Sequence, residues 1–321
     1  MTSDNSISTR AALARAITLI ESTREDHQRE AQALLASVLP ETGKSIRLGI
    51  TGVPGVGKST FIESFGLHAI AQGHKVAVLA VDPSSTLTGG SILGDKTRMS
   101  LLSQHEHAYI RPSPTGGSLG GVARRTREAM LLCEAAGYDV IIVETVGVGQ
   151  SETEVSSMVD MFLLMLLPGS GDELQGIKKG IVELADLIVV NKADGDMAAQ
   201  AKRVRADYSA ALRMLHPAIT EGGRWQPKAV TCSALQRTGI DEVWNSVGEF
   251  ADIMRAGGEL QRHRSLQARA WMWKEIRETL VARFEHSPKV AAQIANAEAD
   301  VVEGKKTPSA AAMELIALFQ K

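Results

Sequence analysis

The segment Gly52-Val53-Pro54-Gly55-Val56-Gly57-Lys58-Ser59 constrains the fold of this chain more than any other feature. It matches the pattern GxxxxGK[ST], and it lies between an apolar run, Ile46–Thr51, and a helical pattern, Thr60–Ala71. Glycines let successive backbone N–H groups point at phosphates, and the N-terminus of the following helix favours negative charge. The segment therefore predicts a phosphate-binding loop, or P-loop, in which Lys58 contacts the β- and γ-phosphates and Ser59 binds Mg²⁺. Thr60, the next residue, completes the predicted phosphate site.

The chain after this loop alternates short apolar runs with longer helical patterns. Parallel strands that are covered on both faces have this almost continuously apolar character. Strands that alternate with helices predict βαβ units and a three-layer α/β fold with a mostly parallel, doubly wound sheet, which binds ligands beyond the carboxyl ends of its strands. Six candidate strands follow Ile46–Thr51: Lys75–Val81, Tyr109–Arg111, Asp139–Val146, Met161–Leu167, Leu187–Asn191 and Lys228–Cys232.

Helical patterns occupy both ends of the chain. Apolar residues recur at helical spacing over residues 1–40, and Pro40 closes the pattern. Strand-like runs stop near residue 250, and Thr307 followed by Pro308 predicts the start of a further helix, 309–319. We therefore expect an N-terminal helical extension at 1–43, a P-loop domain at 44–252 and a C-terminal helical arm at 253–321.

The tetrapeptide Asn191-Lys192-Ala193-Asp194 follows an apolar strand and predicts a guanine-binding loop. One carboxylate accepts hydrogen bonds from both N1–H and the exocyclic amine of guanine, a donor pair that adenine lacks. Asp194 would make that contact, while Asn191 would tie the loop to the P-loop and the stem of Lys192 would cover the base. After the last predicted strand, the backbone of Ser233-Ala234-Leu235 is expected to contact the guanine O6. The ligand predicted by these two motifs is GTP or GDP.

Three carboxylates are candidates for the Mg²⁺ site. Glu144 directly follows Asp139–Val143 in the predicted strand Asp139–Val146, at a position where many GTPases have an Asp, and its longer side chain could reach the ion through a water. Asp82 and Asp95 are further candidates, although aspartates are also common in turns. Lys58, Glu144 and Asp95 are the predicted catalytic residues, and Ser59 with the three carboxylates is the predicted set of metal ligands.

Val148 stands where many small GTPases have a water-orienting Gln. An apolar side chain cannot orient the attacking water, so we expect slow intrinsic hydrolysis, below about 1 s⁻¹, and stimulation by a partner. The residue that positions the water is left open among Gln150, Lys96, Arg98 and a residue supplied by the partner.

Composition limits the partners and the cellular compartment that we expect for this chain. The formal net charge of −2 does not favour nucleic acid, which attracts chains with a clear basic excess. Cys133 and Cys232 form neither a CxxC pair nor a metal-binding spacing. No signal peptide or membrane-spanning run is recognisable, so we expect a cytoplasmic protein without membrane contact.

These motifs together resemble the MeaB/ArgK/MMAA family of GTPase chaperones over about residues 10–320. The resemblance is carried by GITGVPGVGKST (49–60), VDPSSTLTGGSILGDKTRM (81–99), IVETVGVGQSE (142–152), PGSGDELQGIKKGI (168–181) and NKAD (191–194). It implies that Glu144 is the ordinary Walker B residue, that Asp82 and Asp95 belong to the Mg²⁺ or switch residues, and that loops 82–99 and 144–152 change state on hydrolysis. It also implies that 168–181 is a switch that contacts the client.

The resemblance further implies a biological role. Members of this family serve adenosylcobalamin-dependent acyl-CoA mutases, most often methylmalonyl-CoA mutase. They use GTP to gate cofactor delivery from an adenosyltransferase and to protect the mutase. They are usually homodimers that associate through the C-terminal arm. The identity of the client acyl-CoA mutase stays open, because none of these residues would distinguish one acyl group from another.

Three other classes are alternatives. A P-loop kinase would need an acceptor pocket and has no use for guanine selectivity. A nickel-type metallochaperone GTPase would need a Cys/His cluster, and the eight histidines are scattered. A targeting GTPase of the signal-recognition type would need a Met-rich domain, and the 11 methionines are spread along the chain.

Overall fold

The computed structural model describes residues 7–81, 99–112, 119–145, 151–169, 179–216 and 225–320. All seven predicted strands are present, and each boundary lies within one residue of its predicted position. The strands are β1 (Ile46–Gly52), β2 (Val76–Val81), β3 (Ala108–Arg111), β4 (Val140–Thr145), β5 (Met161–Leu166), β6 (Leu187–Val190) and β7 (Lys228–Thr231).

Helices connect and flank these strands. They are α1 (Arg10–Glu21), α2 (Glu25–Val38), α3 (Lys58–Ala71), α4 (Ser100–Gln104), α5 (Leu119–Ala135), α6 (Ser151–Ser156), α7 (Lys179–Leu184), α8 (Ala198–Leu215), α9 (Ile240–Ala256), α10 (Glu259–Glu285), α11 (Pro288–Val302) and α12 (Pro308–Phe319). None of those in the described part of the chain has the length and apolar character that crossing a bilayer requires.

The seven strands form one sheet in the order β3-β2-β4-β1-β5-β6-β7. Every neighbouring pair is parallel, which confirms the predicted doubly wound α/β fold. β1 lies at the centre between β4 and β5, and all seven of its residues are buried. The P-loop that follows β1 therefore begins in the middle of the carboxyl edge of the sheet.

Both faces of the sheet are covered, and alternate residues of one strand enter different cores. Leu163 and Met165 of β5 pack in the cluster that contains Phe61 and Phe65 of α3 and Phe250 of α9. Leu164 and Leu166 pack on the opposite face in the cluster formed with α7 and α8. This division follows from the two-residue period of a strand, and it explains why the strands are apolar at nearly every position.

A buried ion pair connects the start of the central strand to the helix on one face of the sheet. Arg47 of β1 donates to both carboxylate oxygens of Glu134 in α5, at 2.9 and 3.0 Å, and the Gly43 N–H donates to the same carboxylate at 2.8 Å. Burial by itself would raise the pKa of Glu134, but the hydrogen bonds and charge of Arg47 hold it below its ordinary value. A charge this deep is tolerated because its partners satisfy it.

The chain divides into two compact units, Met1–Gln261 and Arg262–Lys321. The first unit includes α1 and α2, whose buried residues include Leu13, Ile17 and Leu35. The predicted boundary at residue 253 falls inside α9, because Val247 and Phe250 of that helix belong to the core of the first unit. The assignment of functional domains stays a prediction.

The second unit consists of helical chain. The predicted start of its last helix agrees with the structure: Thr307 Oγ1 accepts a hydrogen bond from the Ala310 N–H at 3.3 Å, and Pro308 is the first residue of α12. Several large apolar side chains in this unit are about half exposed, including Leu266, Met272, Trp273 and Leu280.

Asp186, just before β6, has a pKa that the fold shifts far enough to affect how stability depends on pH. Its carboxylate accepts a hydrogen bond from the Phe162 N–H at 2.8 Å, but burial outweighs this and raises the pKa of Asp186 to about 7, from 3.8. The folded protein therefore binds a proton between these two pH values that the unfolded chain releases. Stability from this group is present at low pH and is lost as the pH rises through 7.

We expect Asp186→Asn to flatten the pH dependence of stability. In the wild type, the free energy of unfolding should fall by about 1 kcal/mol per pH unit between pH 5 and 7 through this group. The amide has no proton to lose and keeps an acceptor for the Phe162 N–H. Thermal melts from pH 5 to 8.5 measure the difference, with the exposed Asp207→Asn as the control. Parallel pH profiles for wild type and Asp186→Asn would contradict the raised pKa.

Candidate functional site

The P-loop turns sharply between β1 and α3, and its glycines are required by geometry. Gly57 has φ +91° and Gly55 has φ +80°, a region that residues with a Cβ rarely adopt. A Cβ on Gly57 would lie 2.8 Å from Nδ2 of Asn191, and one on Gly52 would lie 2.6 Å from the carbonyl oxygen of Met165. The loop is thus held between β5 and the residue that follows β6.

Lys58 and Ser59 occupy the first turn of α3, as the motif predicts for residues that contact phosphate. The Lys58 ammonium group donates to the carbonyl oxygen of Gly52 at 2.8 Å, so the side chain folds back over the loop. Ser59 is partly buried, and Thr60 and Pro54 are exposed. An ammonium group beside a helix N-terminus favours an anion at this position.

Asn191, the first residue of the predicted guanine motif, joins the P-loop to the turn after β7. Its side-chain amide donates to the carbonyl oxygen of Val56 at 2.8 Å, and its Oδ1 accepts from the Ala234 N–H at 3.0 Å. The side chain is 2% exposed. Cys232 contributes a longer contact, with its thiol donating to Asn191 Oδ1 at 3.6 Å. Three segments that are distant in sequence are therefore held around one amide group.

The Asp194 carboxylate is oriented by the turn after β7. Ser233 Oγ donates to Asp194 Oδ2, and the same hydroxyl accepts from the Gln236 N–H at 3.1 Å. The Ala193 N–H donates to the carbonyl oxygen of Cys232 at 3.0 Å, which fixes the two loops side by side. Lys192 is exposed and has φ +56°, an unusual value for a residue with a side chain. Leu235 is also exposed, while Ser233 and Ala234 are buried.

Glu144 lies near the end of β4, the strand beside β1. It is 4% exposed, and its backbone is aligned with Ile50 of β1 on one side and Ala80 of β2 on the other. The hydroxyl of the next residue, Thr145, donates a hydrogen bond to Thr51 Oγ1 at 2.9 Å. The carboxyl ends of β1 and β4 are therefore joined by side chains as well as by backbone. The structure therefore places a buried carboxylate at the same edge of the sheet as the P-loop.

Other predicted site residues lie outside the described ranges. These are Asp82 and Asp95, together with Val148 and the three candidates for positioning water, Gln150, Lys96 and Arg98. The same holds for most of the predicted switch segments 82–99, 144–152 and 168–181. The described residues contain no group of three or more His, Cys, Asp or Glu side chains arranged to hold a metal ion.

Sequence reasoning did not single out three residues that contribute to the site. Thr51 and Thr145 look like ordinary β-branched strand residues, and Ser64 looks like a small residue within an apolar helix. No motif marks them, because each acts through a partner that only the fold brings near. Cys133 and Cys232, which form neither a CxxC pair nor a metal-binding spacing, are both buried, and burial raises the pKa of the Cys232 thiol to about 12.

Comparison with known proteins places the chain among GTPases. Residues 13–289 match the sequence model of the family described as Methylmalonyl Co-A mutase-associated GTPase MeaB. GTPase ArgK of Escherichia coli is 54% identical over 272 residues, covering 85% of this chain and 81% of that protein. The mouse protein named Methylmalonic aciduria type A homolog, mitochondrial, is 50% identical and covers 97% of this chain and 77% of its own length.

A solved structure agrees with this grouping. The crystal structure of an LAO/AO transport system kinase superposes with a TM-score of 0.76 at 41% identity, covering 99% of this chain and 95% of that chain.

We expect Gly57→Ala to abolish tight nucleotide binding while the protein stays folded. The new methyl group would strain the backbone and push against Asn191, which connects the two halves of the site. A loss of about tenfold or more in affinity for a fluorescent GDP analogue, measured by titration, is the expected result.

Gly73→Ala is the matched control. Gly73 has φ +93°, and a Cβ there would meet nothing within 4 Å. This variant should cost about 1 kcal/mol of stability without changing nucleotide affinity. Equal affinity losses in the two variants would indicate a general loss of stability and would contradict a specific effect of the contact with Asn191.

Proposed function

The chain belongs to the MeaB family of methylmalonyl-CoA mutase-associated GTPases, and on that premise we propose that it is a switch chaperone for an adenosylcobalamin-dependent acyl-CoA mutase. GTP hydrolysis is the activity of the family. The observation that carries the proposal is the pair of hydrogen bonds made by Asn191, which connect the P-loop to the turn that we propose to bind guanine. The role toward a mutase is supported by the family description and by the name of the mouse relative.

The proposed reaction is in-line attack of water on the γ-phosphate. Lys58 leaves its hydrogen bond to the Gly52 carbonyl and neutralises the β- and γ-oxygens, while N–H groups of the P-loop surround the phosphates. The positive φ angles of Gly55 and Gly57 turn the backbone of that loop inward, which supports this role. Because Val148 stands where many small GTPases have a water-orienting Gln, we propose slow turnover that a partner accelerates.

The described residues fit a bound Mg²⁺. Mg²⁺ prefers oxygen ligands and keeps several waters, and the Ser59 hydroxyl and the buried Glu144 carboxylate supply oxygens beside the P-loop. When bound, the ion would offset the negative charge that develops on the phosphates. Asp82 and Asp95 are proposed to complete this set.

Base selection is assigned to Asp194 and the turn at 233–235. The hydrogen bond from Ser233 leaves the second carboxylate oxygen and the remaining lone pairs of Asp194 for the donors of guanine. Adenine would present no matching donor pair, so the partly buried carboxylate of Asp194 would lose its remaining solvent without compensation. Selectivity for GTP over ATP favours a switch over a small-molecule kinase.

Partner contacts are proposed on the same basis. We place the homodimer contact on the second unit, Arg262–Lys321, because it exposes large apolar side chains such as Trp273 and Leu280. The mutase is the proposed client, with methylmalonyl-CoA mutase as the first candidate, and the cobalamin adenosyltransferase is the proposed donor of cofactor. The cytoplasm is the proposed location, since two buried, separate thiols suit a reducing compartment.

Steady-state hydrolysis by the purified full chain tests this function. GTP turnover should be slow, below about 1 s⁻¹, and should rise severalfold when methylmalonyl-CoA mutase is added, while ATP is not hydrolysed. Asp194→Asn should raise KM for GTP by about tenfold or more, because a charged hydrogen bond to the base is lost. Asp196→Asn, an exposed neighbour, is the control and should match the wild type.

The outcomes separate the parts of the proposal. GTP turnover that ignores this mutase but responds to another cobalamin mutase would change the client and keep the switch. ATP turnover equal to GTP turnover would overturn the role of Asp194 and support a kinase. Fast intrinsic GTP turnover without a partner would overturn the chaperone switch.

A further inference from the structure

Ser64 connects the helix that follows the P-loop to the turn that follows β7. It lies in α3, outside the phosphate motif, and is 7% exposed. Its hydroxyl donates to the carbonyl oxygen of Ala234 at 2.7 Å, across 170 positions of sequence. A buried serine in a helix more often donates to a carbonyl one turn earlier, as Ser246 does with Glu242 at 2.8 Å. The hydroxyl of Ser64 instead satisfies a backbone group of the base-binding turn.

The peptide that Ser64 holds is the one that faces the base in the proposed site. The carbonyl of Ala234 and the N–H of Leu235 belong to a single planar peptide unit, so fixing the oxygen also fixes the direction of the N–H. On its other side Ala234 donates its own N–H to Asn191 at 3.0 Å. Both neighbouring peptide groups are thereby restrained, and the Leu235 N–H is left in one orientation.

That N–H is available for a ligand. Within the described parts of the chain, the Leu235 N–H has no hydrogen-bond partner, and the Leu235 side chain is 76% exposed. It lies one residue beyond Ala234 and two beyond Ser233, whose hydroxyl contacts Asp194. A donor in this place suits a carbonyl oxygen at position 6 of a purine. The 6-amino group of adenine would oppose it donor against donor.

We propose that Ser64 is a positioning residue for guanine recognition: through the Ala234 carbonyl it aims the Leu235 N–H at O6 of the base. This inference rests on the proposed guanine site. It assigns a role in base selection to a residue of α3, the helix that follows the P-loop. One connected set of hydrogen bonds would then position the groups that bind the phosphates and the groups that bind the base. In this set Asn191 links Val56 to Ala234, and Ser64 links Ala234 back to α3.

Binding of three diphosphates to Ser64→Ala tests the proposal. GDP and inosine diphosphate both carry O6, whereas the diphosphate of 2-aminopurine riboside lacks it. Ser64→Ala should weaken GDP and inosine diphosphate by the same factor, about five- to tenfold, and should leave the analogue without O6 unchanged. Isothermal titration with the full-length protein gives the three dissociation constants. Ser246→Ala removes a buried serine hydroxyl from α9 and should change none of them.

Two results would overturn the role of Ser64. One is unchanged affinity for GDP in Ser64→Ala; the other is an equal loss for all three ligands, which would mean a general effect on the P-loop. If Ser64→Ala does not fold, Ser64→Cys, with a weaker donor of similar size, supplies the same comparison at a smaller amplitude. Failure of the guanine proposal has a different signature, because the wild type would then bind ADP as tightly as GDP.

Discussion

Burial of one parallel sheet on both faces is the constraint on which the rest of this structure depends. β1 is enclosed on both edges by β4 and β5 and on both faces by side-chain cores, so it contributes no exposed residue. A strand in that position can present new chemistry only where it ends. The P-loop begins there, and Glu144 and Asn191 lie at the corresponding ends of β4 and β6. The parallel arrangement brings these ends to one edge, which concentrates the functional residues.

Asn191 connects the segments at that edge of the sheet into a single site. Its amide has one donor directed to the P-loop and one acceptor directed to the turn after β7, so moving either segment would leave a buried polar group without a partner. Ser233 then orients Asp194, and Ser64 holds the neighbouring peptide. The P-loop, α3 and the turn after β7 are therefore linked to one another through buried hydrogen bonds. Such a linkage suits a protein in which the nucleotide state has to be communicated.

The competing classes differ in what they would require of this edge. A kinase needs an acceptor pocket and no guanine loop, whereas the described site contains the full NKAD loop with its supporting turn. A metallochaperone needs a cluster of metal-binding side chains. The metallochaperone hypothesis therefore depends on residues other than those of the nucleotide site. Membership of the MeaB family agrees with the GTPase interpretation that the motifs carry. The proposed client mutase is a separate matter, because the surface that would bind it need not involve any of these residues.

Local patterns in the sequence determined the strands, the P-loop and the guanine motif, because each depends on neighbours in the chain. Apolar runs mark strands that are covered on both faces, and the glycines of the motif mark the loop. In the structure Gly55 and Gly57 of that loop have positive φ angles. The tertiary structure alone decided that β1 is central, that Arg47 meets Glu134, and that Ser64 reaches Ala234. Those contacts depend on strand order and helix packing, which join residues far apart in sequence, and no local periodicity encodes which distant groups will meet.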